Sequence, residues 1–119
     1  MYKLKFQEIE LIEFEITSGD TPMGCVLAVI NTGPETKLLE SHVKNLGENS
    51  IEGMCELALT ELHAVADLEG NSLNYSGGLI SLVEELEEIT IELLGIPYPE
   101  YEIKFPHIVQ QYEEQFRST

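Results

Sequence analysis

The chain has 119 residues, 22 of them acidic against six Lys and Arg, for a formal net charge of −16. At 43 % hydrophobic residues it carries enough apolar side chains for a packed core, which excludes a solvating acidic tail, and its length fits a single acidic domain spanning 1–119. A surface this negative repels polyanions, which excludes direct binding to nucleic acid or to an anionic membrane and directs the search for a partner towards basic proteins.

Tyr2, Leu4 and Phe6 alternate with polar residues, as do Ile12, Phe14 and Ile16, the period of half-buried strands. The two runs are out of phase, so a bulge or bend over Glu8 to Leu11 is expected, within a hairpin or one long bent strand. Ser18-Gly19-Asp20 reads as a turn. Thr21 to Asn31 carries two patterns: Thr21-Pro22 followed by Gly33 frames a helix, whereas the apolar run Cys25 to Ile30 favours a buried strand.

Glu35 to Leu46 has Leu38, Leu39, His42, Val43 and Leu46 at helical spacing and ends on Gly47. Ser50 reads as the cap of a longer helix reaching Glu69, with Ile51, Met54, Cys55, Ala58, Leu62, Val65 and Ala66 as its apolar stripe. Leu79 to Leu94 reads as a third helix, its stripe formed by Leu79, Leu82, Val83, Leu86, Ile89 and Leu93 and its stop by Gly95. Tyr101, Ile103 and Phe105 alternate as a last strand, and Pro106 opens a C-terminal helix. The expected fold is α+β: a small, mostly antiparallel sheet packed against three to four helices.

The acids have an unusual make-up, since only Asp20 and Asp67 are Asp and the other 20 are Glu. Glu favours helices over turns, so the charge is expected on extended element surfaces and not in Asp-rich calcium loops. On the expected third helix Glu84, Glu85, Glu88 and Glu92 fall on one face, opposite the Leu82/Leu86/Leu93 stripe. Like charges four apart repel on a helix, and this one has no Lys or Arg to offset them. That ridge is the primary candidate for partner binding. Glu52, Glu56 and Asp67, on the expected preceding helix with His63, are candidates to extend it.

Other chemistries find little footing. The residues three before His42, His63 and His107 are Leu39, Thr60 and Lys104, so the Glu-x-x-His unit of a ferritin-like di-iron site is absent. Glu85-x-x-Glu88 resembles half of the metal site of all-helical nucleotide pyrophosphohydrolases, but no Asp follows residue 67 to complete it. Cys25 and Cys55 have no CxxC spacing and read as free thiols, with a disulfide between them as the alternative. Gly77-Gly78 lacks the further glycines of a phosphate loop. No catalytic residue, cofactor or metal site is expected.

In size and charge the chain resembles, as a class, the small acidic immunity proteins of polymorphic and contact-dependent toxin systems. That resemblance implies an inhibitor, not an enzyme, which occludes the active-site cleft of a basic cognate toxin of nuclease type. Two alternatives stand beside it: a phage-encoded nucleic-acid mimic that blocks a defence nuclease, and a small metal-dependent enzyme built on the carboxylates. The chain opens directly on a strand pattern with no apolar leader, so the cytoplasm is the expected compartment.

Overall fold

The structure is a computed structural model that describes residues 1–6, 11–51, 53–61 and 63–117. Its architecture is mostly sheet. A three-stranded antiparallel sheet is formed by β1 (Tyr2–Lys5), β2 (Leu11–Phe14) and β7 (Ala64–Asp67), in the order β2-β1-β7. A six-stranded antiparallel sheet contains β3 (Ser18–Asp20), β4 (Cys25–Asn31), β5 (Glu48–Ile51), β6 (Met54–Ala58), β8 (Gly77–Val83) and β9 (Glu88–Leu94), in the order β3-β4-β9-β8-β6-β5. The helices are α1 (Lys37–Leu46), the single-turn α2 (Glu100–Lys104) and α3 (Pro106–Arg117).

This overturns the expected sheet with three to four helices, and the two long helices are where the expectation fails. Leu79 to Leu94 is the β8–β9 hairpin. Ile80 and Ile91, which lie off the helical stripe, are fully buried, whereas Leu86, on that stripe, is 64 % exposed in the turn. The alternation Ile80/Leu82 and Ile89/Ile91/Leu93, rich in β-branched residues, is the pattern that governs. Ser50 to Glu69 likewise contains β6 and β7, with Cys55 and Leu57 inward, Met54 and Glu56 outward, and Gly53 at φ +80° in the turn between β5 and β6. The reverse error falls on Tyr101 to Phe105. There α2 buries Tyr101 and Phe105 one turn apart and leaves Ile103 73 % exposed.

Ser18 to Asp20, expected as a turn, is instead the edge strand β3, its backbone paired with Cys25 to Leu27, while the remaining segments keep closer to their local pattern. β1 and β2 pair as a hairpin with Leu4 opposite Ile12, while the expected bend lies largely outside the described residues. In the two-pattern segment, Pro22 opens a 3-10 turn and Cys25–Asn31 is strand. The helix expected from Glu35 is α1, preceded by a 3-10 turn over Pro34–Thr36.

Buried side chains from both sheets and all three helices form one cluster. α1 lies on the inner face of β6 and β8, and α3 lies against β3. Tyr101 reaches under the sheet to donate its hydroxyl to the Cys25 carbonyl at 2.8 Å. Among the described residues no helix is long and apolar enough to cross a membrane.

Candidate functional site

Because period 2 governs β9, its residues divide cleanly between two environments. Ile89, Ile91 and Leu93 point into the core; Glu88, Thr90 and Glu92 point the other way. Cross-strand register extends this outward face on both sides. Leu27 and Leu79 flank Glu92, Val29 and Ser81 flank Thr90, and Asn31 and Val83 flank Glu88. Farther out, Met54 lies beside Val83 and Glu56 beside Ser81, with Glu48 opposite Glu56, while Asp20 lies beside Cys25 at the other margin. None of these outward residues is buried, and Val29 is 49 % exposed.

The open face thus mixes aliphatic side chains with five acids, Asp20, Glu48, Glu56, Glu88 and Glu92, and has no Lys or Arg at any of its strand positions. Antiparallel sheets commonly solvate one face, and that face is then dominated by polar side chains. Here Leu27, Val29, Leu79 and Val83 hold the middle of it. At the β5–β6 margin it runs into a groove of about 390 Å³ whose lining includes Leu46, Glu48, Glu56 and Leu79.

The predicted acidic ridge is redistributed by this fold. Glu88 and Glu92 share the open face, but four residues along a strand are about 13 Å apart, against about 6 Å on a helix. That exceeds the screening length of about 8 Å in physiological salt, so the repulsion inferred for a helix is largely absent. Glu84 and Glu85 occupy the β8–β9 turn instead, and Glu84 is engaged by Lys44 of α1 at 2.7 Å. The turn is held from both sides, since Glu84 N–H donates to the Gly53 carbonyl at 3.2 Å and Thr32 N–H to the Glu87 carbonyl at 2.8 Å. Glu87 adopts φ +53°, a conformation that ordinarily selects Gly or Asn.

The second group of candidates is dispersed. Glu56 joins the open face. Glu52 lies outside the described residues. Asp67 belongs to the three-stranded sheet, where its Oδ1 accepts from the Glu69 and Asn71 amides, both at 2.9 Å, and its Oδ2 accepts from Asn71 Nδ2 at 3.2 Å. Hydrogen bonds from Asn71 hold the Asp67 carboxyl below the usual range, as does the Glu69 amide. This is the geometry of a loop clamp, and it separates Asp67 from Glu56, with which a helix would have aligned it.

His63 is buried with His42, a pairing that no helical spacing indicated. Their Nε2 atoms are 2.9 Å apart, and Thr60 N–H donates to His63 Nδ1 at 3.0 Å. The network therefore assigns the tautomers: His63 has an acceptor at Nδ1 and its proton on Nε2, which it donates to His42 Nε2, so neutral His42 carries its own proton on Nδ1. Burial pushes both imidazole pKa values down, and for His63 the neighbouring His42 adds to this. Only 3 % and 6 % exposed, the pair is a core element.

Neither cysteine is oxidised. Cys55 faces the core and donates to the Val43 carbonyl at 3.3 Å, while the half-buried Cys25 faces the open side of β4. Burial and the nearby Glu92 push the Cys25 thiol pKa up, keeping it protonated and weakly nucleophilic. Among the described residues no three His, Cys, Asp or Glu side chains converge as a metal site. Tyr98 and Tyr101 stand in different environments: Tyr101 is fully buried and Tyr98 is 48 % exposed with its hydroxyl donating to the Thr21 carbonyl at 2.9 Å. The chain matches no protein-family model, no curated protein and no solved structure in comparisons with known proteins.

Proposed function

We propose that this chain is an acidic protein-binding inhibitor, acting as an immunity protein that neutralises a basic bacterial toxin of nuclease type in the cytoplasm of the cell that makes both. A nuclease that grips a polyanion presents a positive cleft. A negatively charged protein finds such a cleft quickly, fills it and rejects neutral or acidic partners by the same charge. The observation that carries this reading is the placement of the charge: five acids share the open face of the large sheet, and no strand position of that face is Lys or Arg. Lys37, Lys44 and Lys104 instead pair with Glu40, Glu84 and Glu100, away from the strand positions of that face. The mechanism is occlusion, with carboxylates meeting the Lys and Arg that otherwise hold substrate phosphates. No bond is made or broken by this chain, and it needs no cofactor.

The test is capture from lysate of the producing cells on the immobilised protein, followed by a nuclease assay of the retained protein. A basic nuclease inhibited at one-to-one stoichiometry supports the reading. A retained partner that is neutral or acidic, or one whose activity the chain leaves unchanged, contradicts it.

A further inference from the structure

We infer that the partner docks on the open face of the six-stranded sheet, with its Arg and Lys side chains lying across the aliphatic residues of that face to reach Glu88 and Glu92. This rests on the inhibitor reading and locates its contact surface, which the sequence alone had placed on a helix ridge with Glu84 and Glu85. The local chemistry favours a long cationic side chain over a hydrated metal ion. Glu92 stands between Leu27 and Leu79, so a partner's aliphatic stem is covered while its charged head meets the carboxylate. Val29, beside Thr90, gives the centre of the face an apolar contact that charge alone does not require.

The size of the face is compatible with this role. Six strands at about 4.8 Å spacing span about 24 Å; β4, β8 and β9 run about 23 Å and β3, β5 and β6 about 10–17 Å, so the face offers on the order of 500 Å². A standard interface takes about 800 Å² from each partner, a figure the adjoining groove and turn bring within reach. A second copy of this chain is the wrong occupant, because face-to-face association sets five acids against five acids with no base at any strand position between them. The complementary occupant is a different protein with a basic, partly apolar surface.

The experiment places a photo-crosslinking amino acid at Val29, Ser81 or Thr90 on the face, at Glu85 in the turn, and at Leu38 or Ile103 on the helices, in the full chain within producing cells. Adducts are identified by mass spectrometry. Binding of the adduct partner, once purified, is then measured for Thr90→Arg and Val29→Arg, two outward-facing changes whose fold is checked by circular dichroism. The inference expects one basic protein crosslinked from the face positions but not from Leu38 or Ile103, and affinity lowered at least about a hundredfold by whichever Arg variant retains the fold. A basic partner crosslinked only from Glu85, Leu38 or Ile103 overturns the surface assignment and leaves the inhibitor reading standing. Face adducts with a second copy of the chain overturn the assignment in favour of self-association. An absence of basic partners at every position overturns both, and folded Arg variants that bind as tightly as the parent overturn the assignment.

Discussion

Between about pH 7.5 and 5.5 the His42–His63 pair makes stability depend on pH in a direction and amount that follow from its hydrogen bonds. Each native nitrogen that lacks a proton faces a donor: His63 Nδ1 faces Thr60 N–H, and His42 Nε2 faces His63 Nε2–H. Adding a proton to either ring therefore breaks a bond and buries a charge, whereas in the unfolded chain both rings titrate near 6.5. The unfolded state then binds more protons below that value, so stability falls as pH falls. If the folded pair takes up no proton, each histidine costs about 1.4 kcal/mol at pH 5.5, about 2.8 kcal/mol for both, and this is the upper limit. The assay is urea denaturation of the wild type and of His42→Leu/His63→Leu at both pH values; the comparison cancels the Glu side chains and His107. The variant should be less stable at pH 7.5, because the Thr60 amide loses its acceptor at a cost of about 1–3 kcal/mol, but should lack the extra pH slope. Equal slopes in the two proteins, or wild-type His42 or His63 titrating near 6.5 by NMR, would refute the tautomer assignment.

The β8–β9 turn supplies a second expectation: Glu87→Asn relieves the φ +53° strain and removes a charge, raising unfolding stability by about 0.5–1 kcal/mol in urea melts. Gly24→Ala should have the opposite effect. Its φ is +64°, and the added Cβ would sit 2.7 Å from the Ile96 carbonyl oxygen, so a loss of at least about 1–2 kcal/mol is expected by the same measurement. Tyr101→Phe removes the hydroxyl that reaches the Cys25 carbonyl and should cost about 1 kcal/mol without altering the circular dichroism spectrum. In stopped-flow binding to the captured partner, Glu88→Gln/Glu92→Gln should slow association about tenfold at low salt, while Glu84→Gln, whose carboxylate is already paired with Lys44, should change it far less.

Strands β1 and β2 and helix α1 were legible because one period fits each of them, whereas β4 was legible only through the apolar run Cys25 to Ile30, set against the Pro22 and Gly33 that frame a helix. Two of the misread segments, Leu79 to Leu94 and Tyr101 to Phe105, share a physical ambiguity: residues four apart face the same way on both a helix and a strand. Ile89 with Leu93, and Tyr101 with Phe105, satisfy either period, so the residue between them decides. Ile91 between the first pair is buried and fixes a strand, whereas Ile103 between the second is exposed and fixes a helix. The β8–β9 turn hid as well, since Glu84-Glu85-Leu86-Glu87 contains no Gly, Pro, Asn or Asp, and its left-handed residue is a Glu. Because that hairpin was read as a helix, the acids were found but their arrangement was not: Glu88, Glu92 and Glu56 share a face with one another, while Glu84, Glu85 and Asp67 stand elsewhere. The His42–His63 contact spans 21 residues and depends on tertiary packing, which local spacing does not encode.

The central claim is that carboxylates on an open sheet face recruit a basic partner. The most direct measurement is the association rate constant of the wild-type chain with its captured partner as a function of ionic strength. The account predicts a steep fall between about 0.05 and 0.5 M salt, a fall made shallower by Glu88→Gln/Glu92→Gln. A rate independent of salt, or a slope that the double substitution leaves unchanged, would contradict it.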